Sequence, residues 1–130
     1  MVTITEDYVS FEVAKLLKEK GFNAKCNKCY AYFADDDIRC LNLKYPKSAQ
    51  LLIANRYPCI TLQMAMKWLR EKGIYITIVY GDYPSLNKVF WTPQIDSLEG
   101  FDLPDSFYKE YDKYEEAVEV AIKYCLENLI

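Results

Sequence analysis

Lys15-Leu16-Leu17-Lys18-Glu19-Lys20-Gly21-Phe22 returns, five of eight positions unchanged, as Lys67-Trp68-Leu69-Arg70-Glu71-Lys72-Gly73-Ile74. In both copies a helical pattern ends on basic residues and a glycine, the residue that most cheaply takes the left-handed conformation closing a helix. Each copy then leads towards aromatic and β-branched residues that read as strands. The pair predicts a pseudo-repeat of two helix-then-hairpin units, followed by a last helix. Basic last turns before glycine are also ordinary helix-ending grammar, so the echo speaks to fold and not to chemistry.

Outward from the first copy, Ser10 is placed to cap a helix running to about Lys20, with Val9, Val13, Leu16 and Leu17 on one face. Val2 to Ile4 reads as a short edge strand. Cys29 to Phe33 and Ile38 to Leu43 read as a hairpin turning at Asp35-Asp36-Asp37. Between Lys44 and Ile60, Pro46 and Pro58 mark loop ends and Ser48 to Ala54 suits a helical turn. Outward from the second copy, Thr61 caps a helix to about Lys72. Ile74 to Tyr80 reads as a central strand, Gly81 to Ser85 as a turn, and Lys88 to Thr92 as the partner strand. Pro93 to Tyr111 reads as a long loop lying over the body, because Phe101, Leu103, Phe107 and Tyr108 need cover. Asp112 to Glu115 has the capping-box pattern. It opens a helix whose Tyr114, Ala117, Val118, Ala121, Ile122, Cys125 and Leu129 keep a three-four rhythm. The expected fold is a single α+β domain over residues 1–130. Its mainly antiparallel sheet has about four strands, with helices packed on one side.

Residues of the hydrophobic class make up 52% and aromatics 15% of the chain, which excludes disorder. Apolar runs fall short of a membrane span, and the N-terminus lacks the basic start and apolar core of a secretory signal. Five scattered cysteines suit a reducing compartment, so the expected location is cytoplasmic. Residues 1–95 carry 13 basic and 9 acidic side chains, net +4, whereas residues 96–130 carry 3 and 10, net −7. A basic body with an acidic end can bind nucleic acid, but strong binders show a denser basic stripe. Two oppositely charged surfaces are the plainer reading.

The chain has no histidine, which removes the usual general base, the usual partner of a nucleophile and the commonest zinc ligand. Enzyme is therefore the lesser expectation, and no catalytic residue is assigned. Cys26-Asn27-Lys28-Cys29 has metal-ligand spacing, and nearby lysines would lower its thiol pKa values. A closed site needs two more ligands, available only as Cys40, Cys59 or a carboxylate. Cys26 and Cys29 thus stay weak metal candidates, and no cofactor is expected. Asp35 to Asp37 reads as a turn rather than a cation loop, because three adjacent side chains diverge.

Twelve tyrosines are the feature most open to a binding role. Tyr30, Tyr32, Tyr75, Tyr80 and Tyr83 fall on or beside expected strands. On an open sheet face such rings form a protein-binding patch or stack bases; under helices they are core. Tyr32, Tyr80 and Tyr83 are the candidate binding residues.

Gln63 to Lys72 with Ile74-Tyr75-Ile76, and Tyr114 to Ala117 through Tyr124 to Ile130, carry a resemblance to a group of small proteins of Bacteroides-type bacteria and their prophages. Tyr8 to Glu12 and Lys15 to Phe22 are similar as well. That group has no assigned activity, so the resemblance implies a setting and not a mechanism. The leading expectation is a non-catalytic accessory protein of phage or mobile-element type that binds another protein. The alternative is a single-stranded nucleic-acid-binding protein using sheet tyrosines and the basic N-terminal body.

Overall fold

A computed structural model describes residues 4–97, 100, 103–104 and 107–130. Val2 and Thr3 of the expected edge strand, and Phe101 of the expected loop, lie outside the described residues. The chain is α+β, with three α-helices and five strands among the described residues, and every strand pairing is antiparallel. The residues fall into two compact units, Met1–Ala65 together with Ile130, and Met66–Leu129.

In the first unit, α1 (Phe11–Glu19) begins where Ser10 Oγ accepts the Val13 N–H at 3.2 Å. It ends where Gly21 takes φ +89°. The Phe22 N–H then reaches back to the Leu17 carbonyl at 2.9 Å and the Gly21 N–H to the Lys18 carbonyl at 3.2 Å. Those two bonds satisfy carbonyls the last turn would leave bare, and they turn Phe22 into the core. The first copy of the repeated phrase is thus a complete helix-ending motif.

β1 (Lys25–Ala34) and β2 (Asp37–Ser48) form the first hairpin, and β3 (Arg56–Pro58) joins the other edge of β1, giving the order β2-β1-β3. Asp35 and Asp36 alone make the turn. Asp37 opens β2, where Arg39 grips its carboxylate from Nε at 3.1 Å and Nη2 at 2.8 Å. β1 starts four residues before the expected Cys29, because Cys26 is buried and pairs with Lys47. Residues 43 to 46 then stand opposite the single residue Asn27, a wide irregularity that absorbs Pro46 without a ladder donor. The stretch around Pro58, read as a loop end, supplies the third strand.

In the second unit, α2 (Leu62–Glu71, capped by Thr61 Oγ1 accepting the Met64 N–H at 3.1 Å) leads through Gly73, φ +82°, into β4. The cap and the helix's first turn belong to residues before Met66. β4 (Ile74–Tyr83) and β5 (Lys88–Ser97) pair over their whole length without a register break. The expected sheet of about four strands is therefore divided into a three-stranded and a two-stranded sheet. β3 pairs with the second edge of β1, and Tyr111 lies along the edge of β5 through two 2.8 Å backbone bonds to Trp91. Pro93, expected to open a loop, lies inside β5. Trp91 turns its backbone groups outward to Tyr111, so the missing N–H of Pro93, two residues on, also falls on the outer side.

α3 (Tyr114–Asn128) packs on β4 and β5 with Ala117, Val118, Ala121, Ile122, Cys125 and Leu126 buried. The expected capping box does not form. The cap position is Lys113, without a side-chain bond, and the Asp112 carboxylate instead lies 3.5 Å from Lys88 Nζ. Of the expected loop aromatics Phe107 is buried and Tyr108 exposed. No helix among the described residues is long and apolar enough to cross a membrane.

Candidate interaction surface

The unbroken register of β4 and β5 sorts their side chains into two faces. Ile74, Ile76, Ile78 and Tyr80, with Val89, Trp91, Pro93 and Ile95, form the face towards α3. Trp91 marks it, edge-on to Tyr114 at 5.4 Å and to Tyr80 at 5.5 Å. Tyr75, Thr77, Val79, Gly81 and Tyr83, opposite Asp96, Gln94, Thr92, Phe90 and Lys88, form the outer face. Tyr75, Val79 and Tyr83 are each 39% exposed there, an apolar row on a regular ribbon.

Gly81 organises the distal end of that row. A Cβ on Gly81 would stand 2.2 Å from Phe90 Cζ, so the far end of the ring fills the space a side chain would take. From there it stacks on Tyr83 with centroids 5.0 Å apart and planes tilted 33°. The Tyr83 hydroxyl donates to Glu110 Oε1 at 2.5 Å. The hydrogen bond to that carboxylate, lost when the phenol ionises, holds Tyr83 above its ordinary 10.0, with desolvation and the repulsion of a second anion adding to it. The outer face thus combines apolar rings with a carboxylate at its rim.

The three candidate tyrosines occupy three environments. Tyr83 lies on the outer face, Tyr80 on the α3 side of the same ribbon, at 56% exposure, and Tyr32 in the first unit. Tyr32 meets the Phe11 ring of α1 at 4.9 Å, and Tyr30 and Tyr57 meet the same ring at 5.8 and 5.4 Å. Tyr30 also donates its hydroxyl to the Val9 carbonyl at 2.5 Å. In that sheet α1 covers the aromatic face, and the rings hold a helix in place. Tyr75, Val79 and Phe90 join Tyr83 instead; the period-two alternation of β4 was the signal that could have grouped Tyr75, Val79 and Tyr83.

Cys26 and Cys29 are both buried in β1, not on a turn, and the Cys26 thiol points to the Lys47 carbonyl at 3.5 Å. Their pKa values are raised, against the expected lowering. Burial is the largest cause at both, outweighing the opposing Arg56, Lys47 and Lys18 charges at Cys29. Among the described residues no group of three or more Cys, Asp or Glu side chains converges as a metal site. No protein-family model, no curated protein and no solved structure matches this chain.

Proposed function

We propose that this chain is a non-catalytic binding protein that engages another protein through the outer face of the β4–β5 ribbon. The observation that carries the reading is the exposed row Tyr75, Val79 and Tyr83 on a regular, unbroken ribbon. Rigid aromatic rings supply contact area at small entropic cost and are enriched in protein interfaces. Residues 66–129 hold 7 basic and 12 acidic side chains, net −5, so the complementary partner presents a basic rim around an apolar centre. The same charge speaks against the single-stranded nucleic-acid alternative. A phosphate backbone approaching Tyr83 would meet the Glu110 carboxylate.

The phage or mobile-element setting rests on the sequence resemblance to the Bacteroides-type group. A cytoplasmic site suits five cysteines that are all free. The test is capture from native-host extract by the wild-type protein and by a Tyr75→Ser, Val79→Ser, Tyr83→Ser variant, with circular dichroism to verify folding. A protein retained by the wild type and lost from the folded triple variant supports the reading. Equal capture by both, or tight salt-dependent binding of single-stranded oligonucleotides, sinks it.

A further inference from the structure

Two thiols that sequence spacing leaves unrelated meet in the first unit: Cys40 Sγ and Cys59 Sγ are 3.5 Å apart. Cys40 sits on the edge strand β2, exposed; Cys59 follows the end of β3 and is buried. Both are free, and a disulfide bond needs the sulfurs at about 2.0 Å, a closure of about 1.5 Å. Cys40 pairs with Tyr30 and Cys59 bonds to Lys28 on the opposite edge of β1, so forming the bond also draws these two edge segments towards each other.

We propose that Cys40 and Cys59 are a reversible oxidation site, converted by a hydroperoxide into an intramolecular disulfide across the β2-β1-β3 sheet. The exposed Cys40 is the sulfur that meets the oxidant. Its thiolate attacks the peroxide O–O bond, giving Cys40 sulfenic acid and releasing hydroxide, or alkoxide from an organic peroxide. The Cys59 sulfur then attacks Cys40 Sγ, its proton leaves with the sulfenic hydroxyl as water, and the S–S bond forms. Two thiols lose two electrons and the peroxide gains them. The order follows from the environments, since burial and the neighbouring Cys40 thiol push Cys59 up to about 12 and so keep it protonated. Cys26, Cys29 and Cys125 are all buried, so none of them is the sulfur that begins the sequence.

Trypsin puts each cysteine on its own peptide, residues 26–28, 29–39, 40–44, 57–67 and 124–130, so connectivity can be read directly. The full-length protein is treated with stoichiometric hydrogen peroxide, blocked with an alkylating agent, digested and examined by mass spectrometry. The expected product is peptide 40–44 joined to 57–67, lighter by two hydrogens than the sum of the pair and separated by a thiol reductant. Two of five thiols are lost, and the protein stays monomeric to the extent it was before treatment. Cys40→Ser, at an exposed position, should abolish the link and leave Cys59 alkylated after unfolding. Cys59→Ala should let Cys40 proceed to sulfinic acid. Cross-links to another cysteine, an intermolecular disulfide, or Cys40 over-oxidised in the wild-type protein with Cys59 still free would each overturn the assignment.

Discussion

The Lys18 ammonium lies 2.7 Å from the Arg56 carbonyl oxygen and joins the last turn of α1 to the start of β3. The same nitrogen reaches the Ile53 carbonyl at 2.7 Å and the Leu52 carbonyl at 3.4 Å, so all three donors meet backbone acceptors of one loop. Lys18→Met keeps the aliphatic stem and removes the donors. It should lower stability by about 1–3 kcal/mol, the usual cost when acceptors lose a charged partner. Urea unfolding measures this, and an unchanged midpoint would show the contact to be dispensable.

Gly81 faces a wall made by its cross-strand partner. Gly81→Ala pushes Phe90 off Tyr83 and should cost about 1–3 kcal/mol, the range for overpacking. Phe90→Val alone removes the ring, and the double variant should recover most of the alanine penalty. A thermal double-mutant cycle without coupling between the two positions would contradict the stacked arrangement.

Much of this architecture is legible in the sequence, for identifiable reasons. Glycine after a basic last turn locates both helix ends, because left-handed backbone at Gly21 and Gly73 is a local requirement. The stripe of α3 is legible because Ala117, Ala121 and Cys125 repeat at helical spacing and are fully buried. β3 is not legible, since Arg56-Tyr57-Pro58 becomes a strand only by pairing with Ala31, Tyr30 and Cys29. The capping box fails because Asp112 finds Lys88, distant in sequence. At the site, a list of tyrosines could not separate Tyr80 from Tyr83. The expected turn from Gly81 cuts the strand short; with β4 running on to Tyr83, alternation puts the two rings on opposite faces.

Buried thiols set an alkaline limit on stability. Burial pushes Cys125 up to about 12, above the ordinary 9.0. A group whose folded pKa is raised contributes stability present below its unfolded pKa and lost as pH rises through the folded one. Stability should therefore fall between about pH 9 and 12, by at most about 1.4 kcal/mol per pH unit for each such thiol. Cys125→Ala should flatten the decline measured by chemical unfolding across that range. An unaltered slope would mean other groups carry the effect.

The Tyr83–Glu110 contact can be read spectroscopically. The raised Tyr83 phenol should ionise later than a solvent-exposed tyrosine in an ultraviolet pH titration. Glu110→Ala removes both the acceptor and the charge and should bring one phenol back towards the ordinary range. A titration curve identical in both proteins would place Glu110 away from Tyr83 in solution.

The most direct measurement of the central claim is the affinity of the captured partner, once purified, for folded variants of this chain. Tyr75→Ser with Tyr83→Ser should weaken binding about 30-fold or more, the loss of about 2 kcal/mol that marks interface anchors. Tyr32→Ser and a variant lacking every cysteine should stay within a few-fold of wild type. Wild-type affinity in the folded Tyr75/Tyr83 variant, with binding lost in the cysteine-free protein, would contradict the ribbon as the interaction surface.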